Sequence, residues 1–230
     1  MVRFSPTART AAAALSALAV LLAPTAARAA SAGRTTAPGN TVTLPVREAL
    51  AALPVIDESR AGYERTKFRH WTDADRDGCN TRMEVLKAEA VTAPVQGPNC
   101  ALTGGSWYSA YDDRHLDSAS KLDVDHLVPL AEAWDSGASQ WTAKERELYA
   151  NDLDDARDLV AVSAASNRSK ADKDPSEWLP PYAGYRCQYD THWIADKTRW
   201  GLSIDATERD ALTQQLAGCP DQTITVTLAR

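Results

Sequence analysis

The four cysteines of this 230-residue chain constrain its fold most, because all of them follow an N-terminal segment typical of exported proteins. An even number of cysteines in an exported chain favours disulfides over free thiols. Four cysteines allow three pairings, and proximity in the sequence favours Cys79 with Cys100 and Cys187 with Cys219. A zinc site is disfavoured, because no two cysteines have the short spacing of metal ligands and the histidines are scattered.

The first 29 residues are predicted to be a secretory signal peptide. Arg3 and Arg9 precede an apolar run over residues 11–23, and Ala27-Arg28-Ala29 has the small residues of a cleavage site. The apolar run is shorter than a comfortable membrane-spanning helix. We therefore expect a secreted protein without membrane attachment, whose net charge of −6 becomes more negative once the arginines of the signal peptide are removed.

The remaining chain is predicted to form one helix-rich domain of the α+β class over residues 46–230, after a flexible leader over residues 30–45 that is rich in Ser, Thr, Gly, Ala and Pro. Residues 94–105 predict loops or a short hairpin, and a loose tail is expected at the end. Short apolar runs predict strands over 122–128 and 158–162. Apolar periodicity predicts helices over 46–53, 59–71, 81–91, 130–135, 142–153, 185–200 and 207–217, with a further helix after residue 166.

The segment Leu122-Asp-Val-Asp-His-Leu-Val-Pro-Leu130 places two acids and a histidine at the end of a short apolar strand. On a strand, Asp123 and Asp125 share one face, and His126 joins them only if the strand ends there, as Pro129 indicates. A carboxylate beside an imidazole can supply a metal ligand and a general base at one place. Taken alone, the segment fits a polar strand end better than a catalytic site.

A second segment, residues 158–175, runs from an apolar strand into a helix expected to begin near Asn167. Basic residues cluster beside that helix start, where backbone N–H groups and the helix dipole favour phosphate oxygens. In an acidic chain such a cluster indicates phosphate binding. The alternative is a capped helix with a solvated, charged face.

Together the two segments resemble the HNH, or ββα-metal, endonuclease superfamily. In that superfamily a strand ending in Asp-His and a second strand precede a helix with Asn and basic residues. The similarity is greatest to bacterial proteins related to the C-terminal domain of GmrSD-type restriction endonucleases. They share the patterns Asp-x-Asp-His-x-x-Pro-Leu and Asn-Arg-x-Lys-x-Asp-x-Asp-Pro-x-x-Trp-x-Pro-Pro. The resemblance covers about residues 107–181 and implies a ββα-metal core.

The resemblance also implies a role for each polar residue of the two segments. His126 would be the general base that deprotonates the attacking water, and Asp125 and Asn167 would bind one Mg²⁺ or Mn²⁺. Asp123 would support these ligands or orient His126. Flanking phosphates would be held by three basic residues: Arg168, Lys170 and Lys173.

One position departs from the HNH pattern. Its middle Asn lies near the start of the second strand and orients the base, and here Asp158 is the nearest equivalent, with Asn151 farther upstream. Either residue could take this catalytic role. The HNH pattern has its final histidine one helical turn after the position of Asn167, but Ala171 stands there in this chain. Asn167 would therefore have to be the metal ligand.

Residues 73–84 match the calcium-loop pattern D-x-[DN]-x-[DN]-G-x5-E. Three features disfavour calcium binding here: Arg82 inside the loop, the disulfide expected at Cys79 and the single copy of the motif. The alternatives are an Asp-rich helix cap and a contribution of Arg82 and Glu84 to the nuclease cleft. The possible Ca²⁺ ligands are Asp73, Asp75, Asp77 and Glu84.

These features predict a secreted, metal-dependent HNH endonuclease that hydrolyses phosphodiester bonds in DNA. Little sequence specificity is expected, because no recognition module accompanies the nuclease motifs, and the acidic chain disfavours tight, extended DNA binding. No protein partner is implied. The alternatives are a non-catalytic, calcium-stabilised extracellular binding protein and a metal-dependent hydrolase of another phosphoester.

Overall fold

The computed structural model describes residues 1–3 and 37–230 of the chain. Beyond its first three residues, the predicted signal peptide lies outside the described residues, as do residues 30–36 of the predicted leader. Residues 37–230 belong to one compact unit. None of the helices in the described ranges combines the length and the apolar character that crossing a bilayer requires.

The described residues form short antiparallel sheets surrounded by helices, which confirms a mixed helix and strand architecture. Every sheet has two strands, paired as β1 with β8, β2 with β3, β4 with β5 and β6 with β7. The strands are β1 (Thr41–Pro45), β2 (Val95–Gln96), β3 (Leu102–Thr103), β4 (Trp107–Ser109), β5 (Arg114–Leu116), β6 (Leu122–His126), β7 (Leu159–Ser163) and β8 (Thr223–Thr227). The helices are α1 (Val46–Ala52), α2 (Thr81–Ala88), α3 (Leu130–Asp135), α4 (Ala143–Tyr149), α5 (Ala164–Lys170), α6 (Arg186–Trp200) and α7 (Ala206–Leu216).

The β6–β7 pair lies between two hydrophobic clusters. Leu122 and Val124 of β6, with Leu159 and Ala161 of β7, pack on a smaller cluster with α2 and β4. On the opposite face of the pair, Val162 of β7 packs into the main core, to which α1, α3, α6 and α7 contribute. Because side chains alternate along a strand, the acids of β6 share the face that turns towards the main core.

The helix after β7 begins earlier than the sequence predicted. Ser163 is its N-cap, since the hydroxyl accepts a hydrogen bond from the backbone N–H of Ser166, and α5 therefore starts at Ala164. Arg168 and Lys170 consequently lie in the last turn of α5 instead of at its start. The helix-dipole argument for phosphate binding at these residues was wrong for this reason.

Two other regions differ from the sequence prediction. The predicted helix over 59–71 is absent from the structure, which has only a single 3-10 turn, Arg65–Lys67, in this irregular segment. Residues 41–45 of the predicted flexible leader form β1, which pairs along its whole length with β8 from the predicted loose tail. The folded domain therefore begins inside the predicted leader and includes the tail.

Both disulfides predicted from sequence proximity are present. Cys79–Cys100 joins the start of α2 to the turn after β2, with a Cα–Cα distance of 5.1 Å. Cys187–Cys219 joins α6 to the segment that follows α7, with a Cα–Cα distance of 5.6 Å.

Candidate active site

A cavity of about 260 Å³ lies between the end of β6 and the C-terminal part of α5. The strand ends at His126, so this residue and Asp125 both reach the cavity although they are neighbours in the chain. The polar residues that line it are Arg65, Asp125, His126, Asn167, Arg168 and Asp172.

Asp125 is held by two donors on one carboxylate oxygen. Its Oδ2 accepts hydrogen bonds from the Tyr111 hydroxyl at 2.7 Å and from Lys170 Nζ at 2.7 Å. Its Oδ1 receives no hydrogen bond from the described residues and remains open to another ligand. Burial raises the pKa of the Asp125 carboxyl, while the Lys170 ammonium opposes that rise.

Lys170 has no exposed surface, and its Nζ also donates to the main-chain oxygen of His126 at 3.0 Å. The predicted phosphate contact does not fit this burial. The ammonium instead compensates the Asp125 charge and ties α5 to the end of β6.

His126 is buried, and its ring is held in one orientation. Nε2 lies 3.0 Å from the main-chain oxygen of Ala150. Because a carbonyl only accepts, Nε2 carries the proton and Nδ1 keeps its lone pair. Trp71 packs against the imidazole with ring centres 5.2 Å apart. Burial lowers the pKa of His126 to about 3, so the imidazole is neutral at physiological pH.

Asn167 is oriented by Asp123. Its Nδ2 donates to Asp123 Oδ2 at 3.2 Å, which leaves the amide oxygen without a protein hydrogen bond among the described residues. Arg168 Nε lies 3.6 Å from the same carboxylate oxygen, and its side chain is largely exposed. The structure thus places Asp123 against Asn167 and Arg168, whereas Lys173 is exposed outside the cavity and donates to the main-chain oxygen of Ser169.

Asn151 organises the backbone beside His126. Its amide oxygen accepts from the Thr72 N–H at 2.9 Å and the Thr81 hydroxyl at 2.8 Å. Its amide nitrogen donates to the main-chain oxygens of Arg69 and Glu147, each at 2.7 Å. Asn151 therefore does not reach the cavity, but it fixes the chain next to the Ala150 carbonyl that orients the His126 ring.

We expect Asn151→Ala to lower the free energy of unfolding by about 2–3 kcal/mol, because three partly buried groups lose their partner. Urea denaturation would measure this change. Asn40→Ala is the matched control, since Asn40 is exposed and no side-chain hydrogen bond of it is present in the described region. Equal stability of the two variants would contradict an anchoring role for Asn151.

Asp158 lies away from the cavity. Its Oδ2 accepts from Arg199 Nε at 3.2 Å, inside a buried network that also contains Asp152 and Trp200. Burial raises the pKa of Asp158 well above its ordinary value. Of the two candidates for the middle position of the HNH pattern, Asn151 is thus the one adjacent to the carbonyl that holds His126.

The acids of the predicted calcium loop lie close together, and hydrogen bonds within the loop also account for its shape. Asp73, Asp75 and Asp77 each place an oxygen within 4.8 Å of the others. Asp73 accepts from the Gly78 N–H at 3.1 Å, and Asp77 accepts from the Cys79 N–H at 2.7 Å.

The other parts of this loop have different partners. Glu84 forms a salt bridge with Lys87 at 3.0 Å, and Arg82 donates to the main-chain oxygen of Leu122, outside the cavity. Asn80, not an aspartate, is the N-cap of α2. Calcium binding here stays a prediction.

Three residues at the site, Arg65, Trp71 and Tyr111, could not be found from the motifs of β6 and α5. Trp71 has a left-handed φ of 58°, which is unusual for a bulky residue and puts its ring on the imidazole. Tyr111 is a fully buried hydrogen-bond donor to Asp125.

Comparison with known proteins places β6, β7 and α5 in a described family. The family model described as GmrSD restriction endonucleases, C-terminal domain, matches residues 93–215, which contain all three elements. This chain belongs to that family. Arg65 and Trp71 therefore belong to a segment that precedes the matched GmrSD C-terminal region.

A relative from Arthroderma benhamiae, named as an uncharacterized secreted protein, is 43% identical over 158 residues. The similarity spans 69% of this GmrSD-family chain and 76% of the relative. No solved structure matches the chain.

Proposed function

We propose that this GmrSD-family protein is a secreted, metal-dependent endonuclease that hydrolyses phosphodiester bonds in DNA. One observation carries the proposal: Asp125, His126 and Asn167 line one cavity together with exposed arginines. Asp125 has an open carboxylate oxygen, Asn167 has an open amide oxygen, and His126 has an unprotonated imidazole nitrogen. The signal-peptide pattern and the secreted relative support an extracellular location.

The donor set fits a small, hard divalent cation. Asp125 Oδ1 and Asn167 Oδ1 are oxygen donors without a competing hydrogen bond in the described structure, and oxygen ligands suit Mg²⁺ or Mn²⁺. Two protein ligands are enough for Mg²⁺, which usually keeps several waters and binds substrate phosphates. When bound, such a cation stabilises the negative charge that develops on the phosphate and the departing oxygen.

His126 supplies the base. The hydrogen bond to Ala150 selects the tautomer with a free Nδ1, which can accept a proton from the attacking water. Burial and the positive charges of Arg65 and Lys170 both lower the pKa of the imidazole. A phosphodiester bound in the cavity brings a negative charge, which opposes the lowering of that pKa by Arg65 and Lys170.

The metal requirement tests the proposal directly. We expect purified protein to nick supercoiled plasmid with Mg²⁺ or Mn²⁺ and to be inactive with EDTA. Asn167→Ala should lose most of this activity, while Asn40→Ala should retain it. The same panel with single-stranded DNA and RNA identifies the preferred substrate. A folded protein that cleaves no nucleic acid with any divalent metal would refute the proposal and favour the calcium-stabilised binding protein.

A further inference from the structure

We infer that Arg65 binds a backbone phosphate of the substrate and works together with Arg168 in the same cavity. This inference rests on the proposed nuclease function and adds a substrate contact from outside the region that matches the GmrSD family. The motifs of β6 and α5 do not predict this contact, because Arg65 lies more than fifty residues before them.

The first argument is the position of Arg65. It lines the cavity that also contains Asp125, His126 and Arg168. The residue is exposed, and it forms no salt bridge with any part of the chain that the structure describes. Asp172 on the same rim lies 3.7 Å from Arg60 Nη1, so its charge is already shared with another arginine. Arg65 is thus a cation at the cavity without a carboxylate partner.

The second argument is the anchoring of the segment that carries it. Phe68, three residues later, is 1% exposed in the main core. The main-chain oxygen of Lys67 accepts from Arg146 Nε at 3.2 Å, and Asn151 holds the backbone at Arg69 and Thr72. These contacts fix the backbone that presents Arg65, so binding does not have to order a mobile loop.

The third argument is the chemistry of the ligand. A guanidinium offers several N–H donors in a plane that matches phosphate oxygens, and it stays charged at every physiological pH. The chain has a net charge of −6, so the unpaired Arg65 at this cavity is a local exception to its overall charge. Two arginines beside the catalytic groups suit a phosphodiester chain, which carries a negative charge at each phosphate.

The test compares Arg65→Ala with Arg69→Ala. Arg69 is the matched control because it lies in the same segment and is exposed, but it does not line the cavity. We expect Arg65→Ala to raise KM for duplex DNA about tenfold, since one charge-assisted contact is lost, and to leave kcat nearly unchanged. The dependence of log KM on log salt concentration should become shallower by about one. Arg168→Ala should behave like Arg65→Ala.

The outcomes separate this inference from the proposed function. If wild-type protein cleaves DNA and Arg65→Ala has the same KM and salt dependence as Arg69→Ala, the phosphate contact is wrong while the nuclease function stands. If wild-type protein cleaves no nucleic acid, both fail. Thermal unfolding of each variant shows whether the exposed substitutions leave the fold intact.

Discussion

Replacing His126 with alanine is expected to lower kcat for DNA cleavage by about 10³-fold, because the variant has no group that can take the proton from the attacking water. The effect should appear in kcat more than in KM, since the imidazole assists the reaction and not the binding of the backbone. A quantitative plasmid-nicking assay with saturating Mg²⁺ measures it. Added imidazole should restore part of the rate, because the vacated space can admit a free base.

His115→Ala is the control for this substitution. His115 is an exposed residue of β5, beside Tyr108 and outside the cavity, and its loss should leave kcat unchanged. The low pKa of His126, about 3, adds a second expectation: the pH profile of kcat/KM, which reports the enzyme without substrate, should lack an acid limb near the usual imidazole value of 6.5. A rate unaffected by His126→Ala would contradict the assignment of the base.

The chemical core of the site was predictable because it depends on local pattern. Two short apolar runs predicted β6 and β7, and the proline after His126 indicated where β6 ends. A strand end is what brings His126 to the same cavity as Asp125. The disulfides were predictable for a similar reason, since each closes a short loop, with separations of 21 and 32 residues.

The supporting residues were not predictable, because their positions depend on contacts between distant segments. The role of Lys170 follows from the N-cap at Ser163, which shifts the start of α5 and moves the lysine to its last turn. Arg65 reaches the cavity only because Asn151 and the core hold an irregular segment in place. The β1–β8 pairing joins residues as far apart as Thr41 and Thr227, which short-range periodicity cannot detect.

The largest effect on stability is expected from Lys197→Met. Lys197 has no exposed surface, and its Nζ contacts Glu132 at 2.8 Å and Glu208 at 2.7 Å. It also donates to the Ser136 hydroxyl and to the main-chain oxygen of Ser203. Methionine fills a similar volume but leaves buried carboxylates without a counter-charge, so the free energy of unfolding should fall by about 3–5 kcal/mol. Urea denaturation at neutral pH measures the change.

Lys144→Met is the matched control, because Lys144 pairs with Glu147 at 3.1 Å on the surface and its side chain is 68% exposed. A surface ion pair contributes about 0–1 kcal/mol, so this variant should be nearly as stable as the wild type. Adding Glu132→Gln and Glu208→Gln to Lys197→Met should restore much of the lost stability, because the unpaired charges are then removed.

The pH dependence of Lys197→Met distinguishes a charge effect from a packing effect. In the wild type, burial favours a raised pKa for Glu132, but the Lys197 ammonium outweighs burial and holds this pKa below its ordinary value of 4.5. Without the ammonium the folded-state pKa of Glu132 rises above 4.5 while the unfolded value stays there, so a pH window opens between the two values. The unfolded state then binds fewer protons than the folded state, so stability falls as pH rises through this window. The penalty of Lys197→Met should therefore shrink towards pH 5, whereas a penalty independent of pH would indicate lost packing alone.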